Sequence, residues 1–207
     1  MQGELSRRDV TEALAALGEL LAARGLRYEL VLVGGAALLL RGIVARSTKD
    51  ADILGTRVAS GHVVKLDRMP APLADAIADV ARTYDLPDDW VNLGPASLLD
   101  LGLPDGFEDR LDRFDAPGLD RRDDTGLVVW LAGRFDLVCF KLYAVVDRWP
   151  ARDRHIEDLS ALSPMEEELL DAAAWARTHD PSPGFRAQLV TVLRHLGVED
   201  ADARLDR

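Results

Sequence analysis

One short segment constrains the fold of this chain more than any other. Residues 29–33 (ELVLV) form an apolar, β-branched run that stops abruptly at Gly34 and Gly35. A run of this kind is typical of a buried strand, and paired glycines after it indicate a tight turn. Residues 36–41 (AALLLR) then favour a short helix. We therefore expect a strand, a glycine turn and a helix that belong to a sheet packed against helices.

The remaining patterns place further strands in the first two thirds of the chain and only helices after them. Strands are predicted at residues 50–54 and 127–131, and helices at 7–24, 70–84, 134–147 and 155–162. Another helix is predicted to run to residue 178, with Ser163 as its N-cap and Glu166 as the glutamate of a capping box. The last predicted helix runs from Ser182 to Gly197. Residues 85–124, rich in Pro, Gly and Asp, predict irregular structure with short elements. The fold class expected is α+β: a small mixed sheet with flanking helices (residues 1–132) and a helical C-terminal part (133–207) packed on it.

Composition and charge exclude several classes of protein. The chain has 207 residues, of which 48% are hydrophobic and 29% charged, as in soluble globular proteins. The single cysteine, Cys139, rules out an internal disulfide or a cysteine-based zinc site and fits a reducing cytoplasm. We expect no membrane segment. The net charge of −11 excludes a globally basic nucleic-acid surface, although residues 24–68 carry eight basic and four acidic side chains.

Two aspartates open the second predicted strand. Side chains alternate along a strand, so Asp50 and Asp52 lie on one face, about 6.5–7 Å apart, with Ala51 and Ile53 on the core face. Two carboxylates at this spacing repel each other unless a cation lies between them, and they suit Mg²⁺. By itself such a pair is uninformative, because the chain has a second one in its polar C-terminal tail.

The glycine turn is a second candidate for chemistry. Gly34 and Gly35 would let a phosphate approach the backbone at the start of the following helix, where free N–H groups favour an anion. A double glycine after a strand is also an ordinary turn, and that alternative stays open. The chain contains neither a Walker A loop nor a Rossmann glycine fingerprint.

Taken together, these elements resemble a known signature. Three successive segments carry the resemblance: Gly34-Gly35, a short helix ending in Arg41, and residues 46–53 (RSTKDADI). In these segments the chain resembles the DNA polymerase β-like nucleotidyltransferase superfamily. Within it, the chain most resembles the AbiEii-type toxin nucleotidyltransferases and related bacterial proteins. Residues 134–144 and 155–159, which contain a lysine in a helix followed by an aspartate before a leucine, also resemble that branch.

The resemblance implies a role for each matching residue. Gly34 and Gly35 would hold a nucleoside triphosphate, and Asp50 and Asp52 would bind Mg²⁺ or Mn²⁺. Lys141 would neutralise phosphate charge.

Asp158 would complete the catalytic site by the same resemblance, and the segment of Ser47, Thr48 and Lys49 would lie at the nucleotide. Two departures from the family pattern matter. Ala36 replaces a common Ser or Thr, so Ser47 or Thr48 would supply that hydroxyl. The strand at 127–131 lacks the third carboxylate of polymerases, which leaves the general base unassigned.

Composition gives Lys141 separate support. The chain has 22 arginines and three lysines, and two of those lysines, Lys49 and Lys141, fall inside the motif segments. Lys141 lies in an otherwise apolar helix, where a lysine either extends to solvent or points into a polar site. For Asp158 the alternative is a solvated helix residue or a charge at a helix terminus. Asp136 is interpreted as a first-turn carboxylate favoured by the helix dipole.

Three functional hypotheses follow. The first is transfer of a nucleoside monophosphate from an NTP to an acceptor hydroxyl; by resemblance, the acceptor is tRNA and the chain is a toxin with a cognate antitoxin. The second keeps the chemistry but uses a small hydroxylated acceptor of the aminoglycoside type, which the acidic surface suits. The third is a pseudoenzyme that binds a nucleotide or partner without catalysis, in line with the missing strand carboxylate.

Overall fold

A computed structural model of the chain describes residues 4–117, 119, 125–148 and 153–205. The chain forms two compact units, Met1–Ala132 and Gly133–Arg207. Within the described ranges, no helix combines the length and apolar character needed to cross a membrane.

The first unit is an α+β structure, as the sequence predicts. In chain order its described elements are α1 (Arg7–Ala23), β1 (Tyr28–Val33), α2 (Gly34–Leu40), β2 (Ala51–Arg57), β3 (Val63–Val64), α3 (Ala71–Tyr84), β4 (Val91–Asn92), α4 (Leu98–Leu101), β5 (Asp112–Arg113) and β6 (Leu127–Leu131), with 3-10 turns at Gly94–Ser97 and Phe107–Arg110. The strands at 29–33, 50–54 and 127–131 and the helices at 7–24 and 70–84 are confirmed within a few residues. Short elements occupy the described part of the segment predicted to be irregular.

The strands form one small mixed sheet with the order β3-β2-β1-β6-β5, and β4 pairs with β2 beside this path. β1 lies at the centre, antiparallel to β2 and parallel to β6. Its last four residues are buried, which explains the unbroken apolar run in the sequence. The predicted mixed sheet with flanking helices is confirmed.

A bulge adjusts the pairing of β1 with β2. Val31 pairs with Gly55, but Leu32 pairs with Ile53, so β2 carries one extra residue at this point. The pairing resumes with Val33 opposite Asp52. The bulge therefore determines which residue of β2 lies beside the end of β1.

Helix α1 covers the sheet with one apolar stripe. Its residues Val10, Leu14, Leu17 and Leu21 are fully buried, at the helical spacing that predicted them, and α1 contacts β6 and α3. Ser6 caps the helix, and the Asp9 side chain accepts a hydrogen bond from the Ser6 N–H in return.

In the part that the structure describes, the second unit is helical: α5 (Arg134–Asp147), α6 (Asp153–Ala161), α7 (Glu166–His179), α8 (Pro183–His195) and α9 (Ala201–Arg204). α5 is the central helix and contacts α6, α7 and α8.

The prediction that Ser163 caps α7, with Glu166 completing a capping box, is wrong. The N-cap is Met165, whose N–H donates to the Glu168 side chain at 2.9 Å. Ser163 precedes a proline and has a φ of 47°. Because a residue before proline is disfavoured in the helical region, the helix begins only after Pro164.

Candidate active site

The glycine turn lies directly against one of the two predicted aspartates. Gly34 begins α2 with a φ of +68°, a left-handed conformation that is unfavourable in free energy for a residue with a Cβ atom. A Cβ atom built at Gly34 would overlap the Asp52 carboxylate. Both glycines and Asp52 are half-buried. The absence of side chains at this turn therefore leaves space for the carboxylate.

Asp52 reaches this position through strand register. It pairs with Val33, the last residue of β1, and the next residue in the chain is Gly34. Ala51 and Ile53 on either side of it are fully buried, as the strand alternation predicts. Asp50 precedes the strand by one residue and is also half-buried.

Thr48 fixes the loop that leads into β2. It is buried with 3% exposure, and its hydroxyl donates to the Asp50 carbonyl oxygen at 3.1 Å. A Cβ atom on Gly35 would lie 2.8 Å from this Oγ1. The Thr48 backbone also exchanges two hydrogen bonds with Leu5, at 2.6 and 2.9 Å. Thr48 thus joins the glycine turn to the Asp50 backbone.

Sequence reasoning did not single out Asn92, which completes this group. β4 runs parallel to β2 and pairs Asn92 with Asp52. The Asn92 Nδ2 donates to Asp50 Oδ2 at 3.1 Å, and the Gly94 N–H donates to Asn92 Oδ1 at 2.8 Å. A signal was available, since Asn92 is the only asparagine among the 207 residues.

We call this group the cradle; it consists of Gly34, Gly35, Thr48, Asp50, Asp52 and Asn92. Two other predicted residues, Ser47 and Lys49, lie on either side of Thr48 on the same loop. Ser47 is half-buried and Lys49 is exposed. The structure thus brings five of the predicted residues close together: Gly34, Gly35, Thr48, Asp50 and Asp52.

The donor atoms of the cradle fit a hard divalent cation. Among the described residues, no three His, Cys, Asp or Glu side chains are grouped so that they could hold a metal by themselves. Mg²⁺ does not require such a cage, because it is usually held by one or two carboxylates together with water and substrate phosphates. Asp50 and Asp52 supply that number of carboxylates.

The second unit contains a different charged group. Lys141 of α5 donates to Asp158 Oδ2 of α6 at 2.6 Å. The lysine is 7% exposed and the aspartate 1%. Of the alternatives for these residues, a lysine extending to solvent and a solvated aspartate are both wrong. We refer to Lys141 and Asp158 as the buried pair. Asp136, in the first turn of α5 as expected, is also fully buried.

One histidine lies near the buried pair. Burial lowers the pKa of His155, and the positive charges of Lys141 and Arg148 lower it further. Its Nε2 lies 3.3 Å from an Arg148 guanidinium nitrogen, and since arginine is only a donor, Nε2 is the acceptor. Burial, the two positive charges and this hydrogen bond all favour the neutral form of His155.

No curated protein and no solved structure matches this chain significantly. The model of one family does, over residues 10–172, and this range includes every residue of the cradle and of the buried pair. The match spans most of the 207 residues. The chain is thus a nucleotidyltransferase, and it belongs to the family described as nucleotidyltransferases of unknown function (DUF6036).

Proposed function

We propose that the cradle is the site where a nucleoside monophosphate is transferred from an NTP to an acceptor hydroxyl, with a divalent cation bound by Asp50 and Asp52. One observation carries this proposal: the Asp52 carboxylate fills the space that a side chain on Gly34 would need. A triphosphate near the glycine backbone would then lie within reach of a carboxylate-bound cation.

The residues of the cradle have separate tasks in this proposal. The glycine turn makes room for the Asp52 carboxylate, so that a cation and the triphosphate bound to it would lie beside the turn. Asp50 and Asp52 hold the cation, and Thr48 fixes the Asp50 backbone. When bound, Mg²⁺ supplies charge neutralisation at the phosphates.

The transfer itself is a displacement at phosphorus. The acceptor oxygen forms a bond to the α-phosphorus, and the bond from that phosphorus to the bridging oxygen breaks, releasing pyrophosphate. In such reactions positioning and electrostatics supply most of the rate. The acceptor proton leaves to solvent or to a base that we do not assign.

For the acceptor we propose the 3′ end of a tRNA, in a toxin that pairs with an antitoxin protein. The support is the resemblance to AbiEii-type toxins and the basic excess of residues 24–68. The net charge of −11 instead favours a cationic small molecule of the aminoglycoside type as the acceptor. The two acceptor classes separate in one experiment.

The test incubates the purified chain with Mg²⁺ and α-labelled NTPs, in the presence of either total tRNA or a panel of aminoglycosides. We expect labelled tRNA, and a loss of about three orders of magnitude in Asp52→Asn, the scale on which single electrostatic groups act at such sites. Asp67→Asn, at an exposed position outside the cradle, is the control and retains activity.

Label in the small-molecule fractions alone would overturn the tRNA assignment. Nucleotide binding without pyrophosphate release for any acceptor would support the pseudoenzyme hypothesis. Full activity in Asp52→Asn would remove the cradle from the mechanism.

A further inference from the structure

Both ends of the Asn92 amide are engaged within the cradle. The Gly94 N–H at 2.8 Å needs an acceptor, so it faces the amide oxygen. The opposite end must then be the NH₂ group, which donates to Asp50 Oδ2 at 3.1 Å. The orientation of the amide is therefore fixed by the hydrogen bonds themselves. Its donor end faces a carboxylate that we assign to the cation.

The neighbouring strands explain why this residue lies at the site. β1 is flanked by β2 and β6, and at the end of β1 the β6 partner of Leu32 is Leu131, an apolar residue. β4, on the other side of β2, contributes Asn92 directly beside Asp52. The residue that pairs with Asp52 on this neighbouring strand is thus an asparagine, and its side-chain amide bonds to Asp50.

We propose that Asn92 is a positioning residue that holds the Asp50 carboxylate ready for the cation, through its Nδ2, without adding a charge of its own. This inference rests on the proposed function, because it takes Asp50 and Asp52 as the cation ligands. Hydrogen bonds from outer groups orient ligating carboxylates, and their loss typically costs about 10- to 100-fold in metal affinity.

Two substitutions separate positioning from a merely structural role. Asn92→Ala removes both hydrogen bonds. Asn92→Asp has the same shape and keeps the acceptor for the Gly94 N–H, but it replaces the donor to Asp50 with a carboxylate. Since cation affinity rises with the number of charged ligands, the second variant gains affinity while the first loses it.

The experiment measures Mn²⁺ binding to the whole chain by electron paramagnetic resonance and titration calorimetry, without nucleotide. We expect about 10- to 100-fold weaker binding in Asn92→Ala, tighter binding in Asn92→Asp, and a loss of binding in Asp52→Asn. The opposite direction of the two Asn92 variants is the diagnostic result. If Asn92→Ala does not fold, Asn92→Leu takes its place, because it keeps the size of the side chain without either hydrogen bond and should weaken Mn²⁺ binding by the same factor.

The outcomes distinguish this inference from the proposed function. If the unmodified chain binds no Mn²⁺, or if Asp52→Asn binds it equally well, the proposed cation site is wrong and this inference falls with it. If Asp52→Asn loses binding while both Asn92 variants stay within twofold of the unmodified chain, or shift in the same direction, only the role of Asn92 is overturned.

Discussion

The cradle and the buried pair use charge in opposite ways. The cradle places two carboxylates of like charge in half-buried positions, with a neutral amide at one of them. The buried pair joins opposite charges at 7% and 1% exposure. Opposite charges that meet in a core compensate each other, whereas neighbouring carboxylates gain from a cation. Asp50 and Asp52 therefore suit the cation that we propose for the cradle, whereas Lys141 and Asp158 contribute first to the fold of their own unit.

The largest change in the free energy of unfolding is expected when the buried pair is broken. In Lys141→Met, Asp158 loses the ammonium group that compensates its burial, and the free energy of unfolding should fall by about 3–5 kcal/mol. Asp52→Asn, at a half-buried position, should change it by less than about 1 kcal/mol. Chemical denaturation followed by circular dichroism measures both.

The double variant Lys141→Met/Asp158→Leu is the control, because it removes both charges and should recover most of the loss. If Lys141→Met is as stable as the unmodified chain, the buried pair does not stabilise its unit. The role in phosphate neutralisation that the resemblance implies for Lys141 would then be favoured.

A smaller change in stability is expected at Gly34, which the Asp52 carboxylate approaches closely. Gly34→Ala should cost about 1–2 kcal/mol for its left-handed backbone, and a further loss because the new Cβ overlaps Asp52. Gly25→Ala is a matched control: its φ is +67°, and a Cβ there meets nothing within 4 Å. Thermal denaturation and Mn²⁺ binding of both variants make the measurement. If Gly34→Ala and Gly25→Ala had the same stability and the same Mn²⁺ affinity, the close approach of Asp52 to Gly34 would be contradicted.

The loop that carries Asp50 gives a third test. Thr48→Val removes the hydroxyl that donates to the Asp50 carbonyl and should cost about 1 kcal/mol together with weaker Mn²⁺ binding. Thr56→Val removes a similar bond, from β2 to the Glu29 carbonyl at 2.8 Å, away from the cradle. It should cost a similar free energy and leave Mn²⁺ affinity unchanged. A parallel loss of affinity in both variants would show that Thr48 has no specific role.

The smallest expected effect is on the pH dependence of stability, and it involves His155, which lies near the buried pair. Because the folded chain lowers the pKa of His155, the unfolded chain binds the extra proton first as the pH falls below about 6.5. Stability contributed by neutral His155 is present above this pH and is lost as the pH falls toward the folded pKa. Lys141, Arg148 and Arg154 disfavour the protonated form, and Asp158 favours it.

His155→Gln should therefore reduce the fall in stability between about pH 7 and pH 5, the range in which histidine titrates. Denaturation midpoints across this range measure the effect. Thr191→Val, at an exposed position on α8, removes no titratable group, so it serves as the control and should keep the slope of the unmodified chain. An unchanged slope in His155→Gln would show that burial and the neighbouring positive charges do not lower the pKa of His155.

Local patterns in the sequence predicted the parts of the cradle that lie within a few residues of one another. The apolar run before Gly34, the paired glycines and the alternation around Asp52 each follow from strand and turn chemistry. The start of α7 was predicted two residues too early, because the conformation of Ser163 depends on the proline after it. Asn92 was missed because a two-residue strand has no periodic signal.

Local sequence patterns were sufficient to predict the α+β class, the glycine turn and two aspartates at the start of the second strand, where Asp52 lies in β2 and Asp50 directly precedes it. Only the tertiary structure decided which groups meet: the bulge that puts Asp52 beside Val33, the pairing of β4 with β2, and the contact between Lys141 and Asp158 across 17 residues of chain. The physical reason is that periodicity and turn chemistry act between near neighbours in the chain. Register and side-chain pairing depend instead on how distant segments pack.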